Sequence, residues 1–143
     1  MSIKISVNTN KEEVDAQLIG TVVKKTLKEL QDLKKIGVGL DIEISIALVS
    51  KNRIAELNQQ YRQHNGPTDI LSFSYENNKK ALEGELILCP AVIKENALED
   101  EIEFREELSK NIIHGILHIV GYEHGEKMFS LQNNILNKNK NEY

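Results

Sequence analysis

The chain has 143 residues, of which 40% are hydrophobic and 5% aromatic, and its formal net charge is −4 at pH 7. This length fits one domain with a single aliphatic core, and the acidic balance argues against broad polyanion binding while leaving local RNA binding open. No apolar stretch is long enough for a signal peptide or a membrane span, and the single cysteine, Cys89, excludes an internal disulfide. We therefore expect a cytoplasmic protein without a membrane partner.

Strands and helices are predicted to alternate in the first part of the chain. Residues 3–7 alternate apolar and polar side chains and predict a first strand, and an apolar stripe predicts a helix from about 11 to 35. Residues 40–50 repeat apolar residues at alternate positions, which predicts a second strand. Residues 51–62 have helical spacing, and Ser50 is positioned to be the N-cap of this second helix.

Two more strands are predicted after the second helix. The Gly66-Pro67 pair breaks regular structure, so residues 64–77 are expected to begin as a loop and to end as a third strand. The segment GELILCP, residues 84–90, predicts a fourth strand that Pro90 closes.

The last part of the chain is predicted to be helical. Residues 91–121 favour two helices with a break near 99–103, and Gly121 is a natural helix stop because glycine readily adopts the left-handed conformation. A further helix follows, and residues 137–143, rich in Asn and Lys, are expected to fray. Late helices beside a small mixed sheet of about four strands predict one α+β domain over residues 1–143.

Three of the four histidines lie within the eleven residues HGILHIVGYEH. His114 and His118 are four residues apart on a predicted helix and therefore share one face. Gly121 lets the chain reverse after that helix, so that His124 can return to the same point. Three neutral imidazoles suit Zn²⁺ and leave a fourth coordination position for water, which is typical of a catalytic site. We therefore predict one Zn²⁺ per chain, although histidine ligands also accept other divalent ions.

The histidine spacing also matches the pattern H-E-x-x-H-x-x-G-x-x-H of zinc metallopeptidases, with one decisive difference. In those enzymes the residue after the first histidine is the glutamate that acts as general base. Here that residue is Gly115, which cannot accept a proton. A metallopeptidase with this site geometry is therefore an alternative that lacks its base.

Arg62 is the second candidate for chemistry. It ends a predicted helix just before the Gly66-Pro67 loop, where a guanidinium can donate two hydrogen bonds to a phosphate. The competing interpretation is a surface salt bridge, which is the more common role for a single arginine.

Together, these motifs resemble the YbeY family of bacterial rRNA maturation factors. The resemblance runs through ISIALVSKNRIAELNQQYR, PTDILSF, GELIL and HGILHIVGYEH. It implies an α+β fold, His114, His118 and His124 as zinc ligands, and Arg62 as an arginine needed for activity. It also implies a single-strand endoribonuclease that acts at the 3′ end of small-subunit rRNA and in ribosome quality control. The implied partner is RNA of the small ribosomal subunit, with ribosomal proteins or an assembly GTPase as further candidates.

The chain departs from the family pattern near both candidate sites. Glu123 stands where aspartate is usual, while His64 and Gly66 stand where many members carry lysine, which weakens the positive surface beside Arg62. Because Glu123 precedes the ligand His124, we interpret it as a catalytic-site residue that acts on water or, preferably, orients a ligand. A non-catalytic ribosome-assembly factor with a structural metal is the remaining alternative.

Overall fold

The computed structural model describes residues 2–8 and 14–143. The elements are β1 (Ser2–Asn8), α1 (Ala16–Asp32), β2 (Asp41–Leu48), α2 (Lys51–Arg62), β3 (Ile70–Asn77), β4 (Ala81–Leu88), α3 (Pro90–Glu99), α4 (Phe104–Val120), α5 (Glu126–Asn139) and a 3₁₀ turn (Lys140–Glu142). The predicted α+β class is confirmed, although residues 11–13 of the first predicted helix lie outside the described residues. None of the described helices is long and apolar enough to cross a bilayer.

The four strands form one mixed sheet in the order β1-β2-β4-β3. β1 and β4 both run parallel to β2, and β3 pairs with β4 as an antiparallel hairpin. The hairpin turn is closed by the Asn78 side chain, which accepts hydrogen bonds from the backbone N–H groups of Lys80 and Ala81. β4 therefore begins at Ala81, three residues before the predicted start at Gly84, because pairing with β3 continues to the turn.

The two faces of the sheet carry cores of different size. Alternate residues of β2, Ile42, Ile44 and Ile46, are buried in the main core beneath α1, α4 and α5. Beneath α2, on the opposite face, a smaller cluster contains Ile54, Leu57, Leu71, Ile87 and Cys89. Cys89 is fully buried and has no disulfide partner, so it acts as a small core residue.

Helix α4 packs unusually close to the sheet at two glycines. A Cβ atom at Gly115 would lie 2.6 Å from Cδ2 of Leu86 and 2.7 Å from Cδ1 of Ile70. Where the same helix crosses β4, a Cβ atom at Gly84 would lie 2.6 Å from Cδ1 of Ile119. A side chain at either position would need its neighbours to move, so the two glycines allow α4 to lie directly on the hairpin.

The C-terminal end of α4 is fastened to β3. Gly121 has a φ of 110°, and its N–H donates to the carbonyl groups of Leu117 and His118, which confirms the predicted helix stop. Two of the last helix carbonyls, which have no partner within the helix, accept hydrogen bonds from β3 side chains. Ser74 Oγ donates to the Ile119 carbonyl at 3.1 Å, and Asn77 Nδ2 donates to the Val120 carbonyl at 2.8 Å.

The C-terminal segment, predicted to fray at 137–143, makes several contacts with the rest of the chain. Asn139 ends α5 with a buried side chain that donates to the Ile135 carbonyl at 3.1 Å, and Lys140 pairs with Glu106 at 2.7 Å. Tyr143 is half-buried and packs against the main core. The contacts of Lys140 and Tyr143 with distant residues stabilise a segment whose polar composition alone favours fraying.

Candidate metal centre and cleft

The structure brings the three predicted histidines together. His114 and His118 lie on one face of α4, and the loop after Gly121 returns His124 to them. One nitrogen from each ring lies within 4.8 Å of the others, and the Nε2 atoms of His114 and His118 are 3.0 Å apart. The predicted cluster is thus confirmed, whereas the role of its members as ligands stays a prediction.

Hydrogen bonds at the outer nitrogens orient two of the rings. His118 Nδ1 is 3.1 Å from the Tyr122 carbonyl, and His114 Nδ1 is 2.7 Å from Oε1 of Gln132. With these two oxygens as acceptors, the neutral form of each ring carries its proton on Nδ1 and keeps a lone pair on Nε2. Two lone pairs that face each other at 3.0 Å repel unless a positive charge lies between them.

This arrangement fits a divalent cation. Nitrogen ligands about 2.0–2.1 Å from a tetrahedral Zn²⁺ lie about 3.3–3.4 Å from each other, within a few tenths of an ångström of the observed Nε2 separation. Burial lowers the pKa of both His114 and His118, and the neighbouring histidines lower each pKa further. The neutral imidazole, which is the form that binds metals, is therefore favoured at neutral pH.

Arg62 reaches the same region from the other side. It is the last residue of α2, and Gln63 ends the helix in the left-handed conformation with a φ of 56°. Arg62 Nη2 donates to the Ser72 carbonyl at 2.6 Å, and its guanidinium carbon lies 5.5 Å from the centre of the Phe73 ring. The arginine is therefore held on β3 by a hydrogen bond and a cation–π contact, and not by a salt bridge to a described carboxylate.

The histidines and the arginine line one cleft of about 710 Å³. Its walls come from α2, the loop that follows, β3 and α4, and they include Arg62, Thr68, Asp69, His114, His118 and His124. Glu123, which we predicted to act in this site, is exposed and is not among the described residues that line the cleft. Its role stays a prediction that the contacts of the structure do not support.

Two polar residues of the site were not assigned a role from the sequence. Asp69 enters the cleft at the start of β3, where its carbonyl accepts the Cys89 N–H at 2.9 Å and its carboxylate accepts the Thr68 hydroxyl at 3.3 Å. Burial lowers the pKa of His114, and the negative charge of the Asp69 carboxylate opposes part of that shift. Asp69 belongs to the PTDILSF motif, whereas Gln132 lies in α5 outside every motif that the sequence offered.

The fold and site define a small α+β protein with a three-histidine cluster and an arginine on opposite walls of one cleft. The family model described as endoribonuclease YbeY matches residues 4–140, so the chain belongs to that family, as the motifs predicted. A solution structure of a protein from Thermotoga maritima is similar, with a TM-score of 0.64 and 32% identity over 98% of this chain and 93% of that one.

Curated relatives agree with the family assignment. Endoribonuclease YbeY of Thermotoga maritima is 41% identical over 106 residues, which cover 73% of this chain and 69% of that protein. The Borreliella burgdorferi protein of the same name is 38% identical over 117 residues, 70% of this chain and 76% of that protein. For the Thermotoga petrophila relative, also 41% identical, the chain spans just under two thirds of its length, 63%.

Proposed function

We propose that this protein is a zinc-dependent endoribonuclease that hydrolyses phosphodiester bonds in single-stranded RNA. One observation carries the proposal: three imidazoles that can share a cation and a guanidinium that can bind phosphate line the same cleft. The relatives' name, endoribonuclease, supports the choice of RNA as substrate. The proposed activity requires a bound metal at the histidine cluster and at no other place in the cleft.

Each group in the cleft has a role that follows from its chemistry. A Zn²⁺ on His114, His118 and His124 would supply Lewis acidity, lowering the pKa of water towards 7 and stabilising negative charge on oxygen. Arg62 uses one N–H of its guanidinium to bind the Ser72 carbonyl. The guanidinium has five N–H donors, so others are left to hold a phosphate and to offset the charge that develops during attack.

Asp69 is the best-placed carboxylate for proton transfer in the cleft. It lines the cleft together with the histidines, and the hydroxyl of Thr68 orients its carboxylate. Glu123 instead neighbours His124 in sequence from an exposed position, where orienting that ligand is the role open to it. A general base must reach the proton that it accepts, which favours Asp69.

The geometry around Gly115 argues against the metallopeptidase alternative. A side chain at that position would point into Leu86, Ile70 and Ser72 of the hairpin, where a Cβ atom alone comes within 2.6–3.0 Å. A glutamate there would collide with the side chains of β3 and β4 on which α4 packs. The general base of metallopeptidases is therefore missing, and the packing of α4 also leaves no room for it.

The cellular part of the proposal rests on the family. We infer a cytoplasmic enzyme that acts on the 3′ end of small-subunit rRNA and in ribosome quality control, with ribosomal proteins or an assembly GTPase as further partners. Among the described residues that line the cleft, Arg62 alone carries a formal positive charge, and His64 and Gly66 stand in place of lysines. This favours a substrate that is presented by such partners over tight binding to free RNA.

The proposal is tested by comparing His114→Ala, Arg62→Ala and, as a matched control in the same cleft, His64→Ala. We expect elemental analysis to find one zinc per chain in wild type, Arg62→Ala and His64→Ala, and much less in His114→Ala. Cleavage of a single-stranded RNA that carries the small-subunit 3′ end should be lost in His114→Ala and Arg62→Ala.

Three outcomes would contradict the proposal. The first is RNA cleavage at the wild-type rate by folded, zinc-free His114→Ala protein. The second is chelator-sensitive turnover of casein by a wild-type protein that leaves RNA intact, which would support a metallopeptidase. The third is normal ribosome association and normal rRNA ends with ligand variants that are only less stable, which would support a structural metal in an assembly factor.

A further inference from the structure

Gln132 is a buried amide whose polar head points at the histidine cluster. It lies on α5 with 2% of its surface exposed, between the buried residues Met128 and Ile135. An amide in such surroundings needs hydrogen-bond partners, because burying it without them is costly. Its Oε1 atom meets Nδ1 of His114 at 2.7 Å, a contact between residues eighteen positions apart.

The hydrogen bond from His114 to Gln132 decides which ring nitrogen is free. With Oε1 as acceptor, Nδ1 carries the proton and the lone pair is on Nε2, which faces His118 at 3.0 Å. The other tautomer would put a lone pair of Nδ1 against the Oε1 oxygen and a proton on the nitrogen that faces the cluster. The Tyr122 carbonyl does the same for His118, but it belongs to the backbone and no substitution removes it.

A second residue of α5 contacts the same rings. Phe129, three residues before Gln132 and so on the same side of the helix, places its ring centre 6.1 Å from that of His114 and 6.2 Å from that of His124. α5 therefore restrains the histidine rings by a hydrogen bond and by ring contacts, although it supplies none of the three imidazoles.

We propose that Gln132 is a positioning residue that holds the His114 ring with Nε2 free and thereby sets the affinity of the site for a divalent cation. The inference rests on the metal site of the proposed function and adds α5 to it. Outer partners of ligating histidines fix ring orientation and tautomer, and their removal typically lowers metal affinity about 10–100-fold.

The first test measures Zn²⁺ affinity by competition with a chromophoric chelator, without RNA. Gln132→Leu removes the acceptor at similar volume and should weaken Zn²⁺ binding about 10–100-fold. Gln132→Glu keeps an acceptor oxygen, so its affinity should equal or exceed that of the wild type. The control is Asn139→Leu, which removes a buried amide about 10 Å further along the same helix and should leave Zn²⁺ affinity within about twofold of wild type.

The second test needs no variant and holds even where Gln132→Leu fails to fold. In NMR spectra of the zinc-loaded wild type, the ¹⁵N shifts of His114 should show Nδ1 protonated and Nε2 bound to the metal. Coordination through Nδ1 would overturn the proposal, as would equal Zn²⁺ affinities of Gln132→Leu and wild type, or an equal loss in Asn139→Leu.

The same data separate this inference from the proposed function. Zn²⁺ binding that is unaffected by Gln132→Leu would refute the role of Gln132 and leave the metal site intact. A wild-type protein that binds no Zn²⁺ would refute the metal site and this assignment together. RNA cleavage by the loaded wild type is a separate measurement and enters neither conclusion.

Discussion

The close packing of α4 on the hairpin can be tested with one added methyl group. In Gly115→Ala the new Cβ would meet Leu86 at 2.6 Å and Ile70 at 2.7 Å, and Leu86 is fully buried. Overpacking of this kind costs about 1–3 kcal/mol. Replacing a glycine inside a helix by alanine contributes about 1 kcal/mol in the opposite direction. We therefore expect the free energy of unfolding to fall by up to about 2 kcal/mol.

Gly20 provides a matched control in another helix. It lies inside α1. Apart from its chain neighbours and the nearby backbone of its own helix, no atom lies within 4 Å of the position that a Cβ would take. Gly20→Ala keeps the propensity gain without the collision, so it should raise the free energy of unfolding by up to about 1 kcal/mol. Because the propensity term is common to both variants, the difference between them measures the packing cost at Gly115.

Urea unfolding at one pH and temperature gives both free energies. The variants should change the midpoint in opposite directions with an unchanged slope. Equal stabilisation by Gly115→Ala and Gly20→Ala would refute the reasoning, because it would mean that α4 has room to spare over the hairpin. We also expect only Gly115→Ala to slow RNA cleavage, since a shift of α4 moves the histidines relative to Arg62.

Three further predictions concern charge and metal. Burial raises the pKa of Glu107. Among the described residues its Oε2 has no hydrogen-bond partner, and it pairs with Lys110 at 3.9 Å. A raised folded-state pKa means that ionisation of Glu107 costs stability. Glu107→Gln should therefore match wild type below about pH 4 and be more stable at pH 7, as urea unfolding across pH would measure. Equal stabilities at every pH would contradict this. Arg62→Lys keeps the positive charge but loses the planar, two-pronged guanidinium. RNA cleavage should therefore fall at least about 10-fold, while the zinc content stays at the wild-type value. Cleavage at the wild-type rate would show that the charge alone is sufficient. Zinc at 100 times its Kd should stabilise the folded chain by about 2.7 kcal/mol in thermal unfolding, and a chelator should remove that gain. A Tm that changes with neither zinc nor chelator would argue against a site formed only in the folded state.

Local patterns predicted most of the elements. Alternating apolar residues located β1 and β2, Ser50 does cap α2 through its side chain, and Gly121 ends α4 as expected. These features depend on neighbours within about one helical turn or on the two-residue strand repeat, so the sequence displays them directly. The histidine cluster was predictable for the same reason, because its members are close along the chain.

Features that depend on distant contacts were not predictable. The hydrogen bond between Gln132 and His114 joins two helices, and neither residue's neighbours in sequence indicate it. The contacts of the residues after 136 with the rest of the chain, such as that of Lys140 with Glu106, also join positions that are far apart in the sequence. Glu123 is assigned to the site because it precedes His124, and its role there stays a prediction, since the structure leaves its side chain exposed.

One strand, β3, anchors both walls of the cleft. The Ser72 carbonyl anchors the guanidinium of α2, and Ser74 and Asn77 secure the terminus of α4. The separation of the two cleft walls therefore depends on the positions of Ser72, Ser74 and Asn77 along β3, whose pairing with β4 shifts register between Ser74 and Glu76. A slip of β3 by one register position would therefore misalign both walls at once.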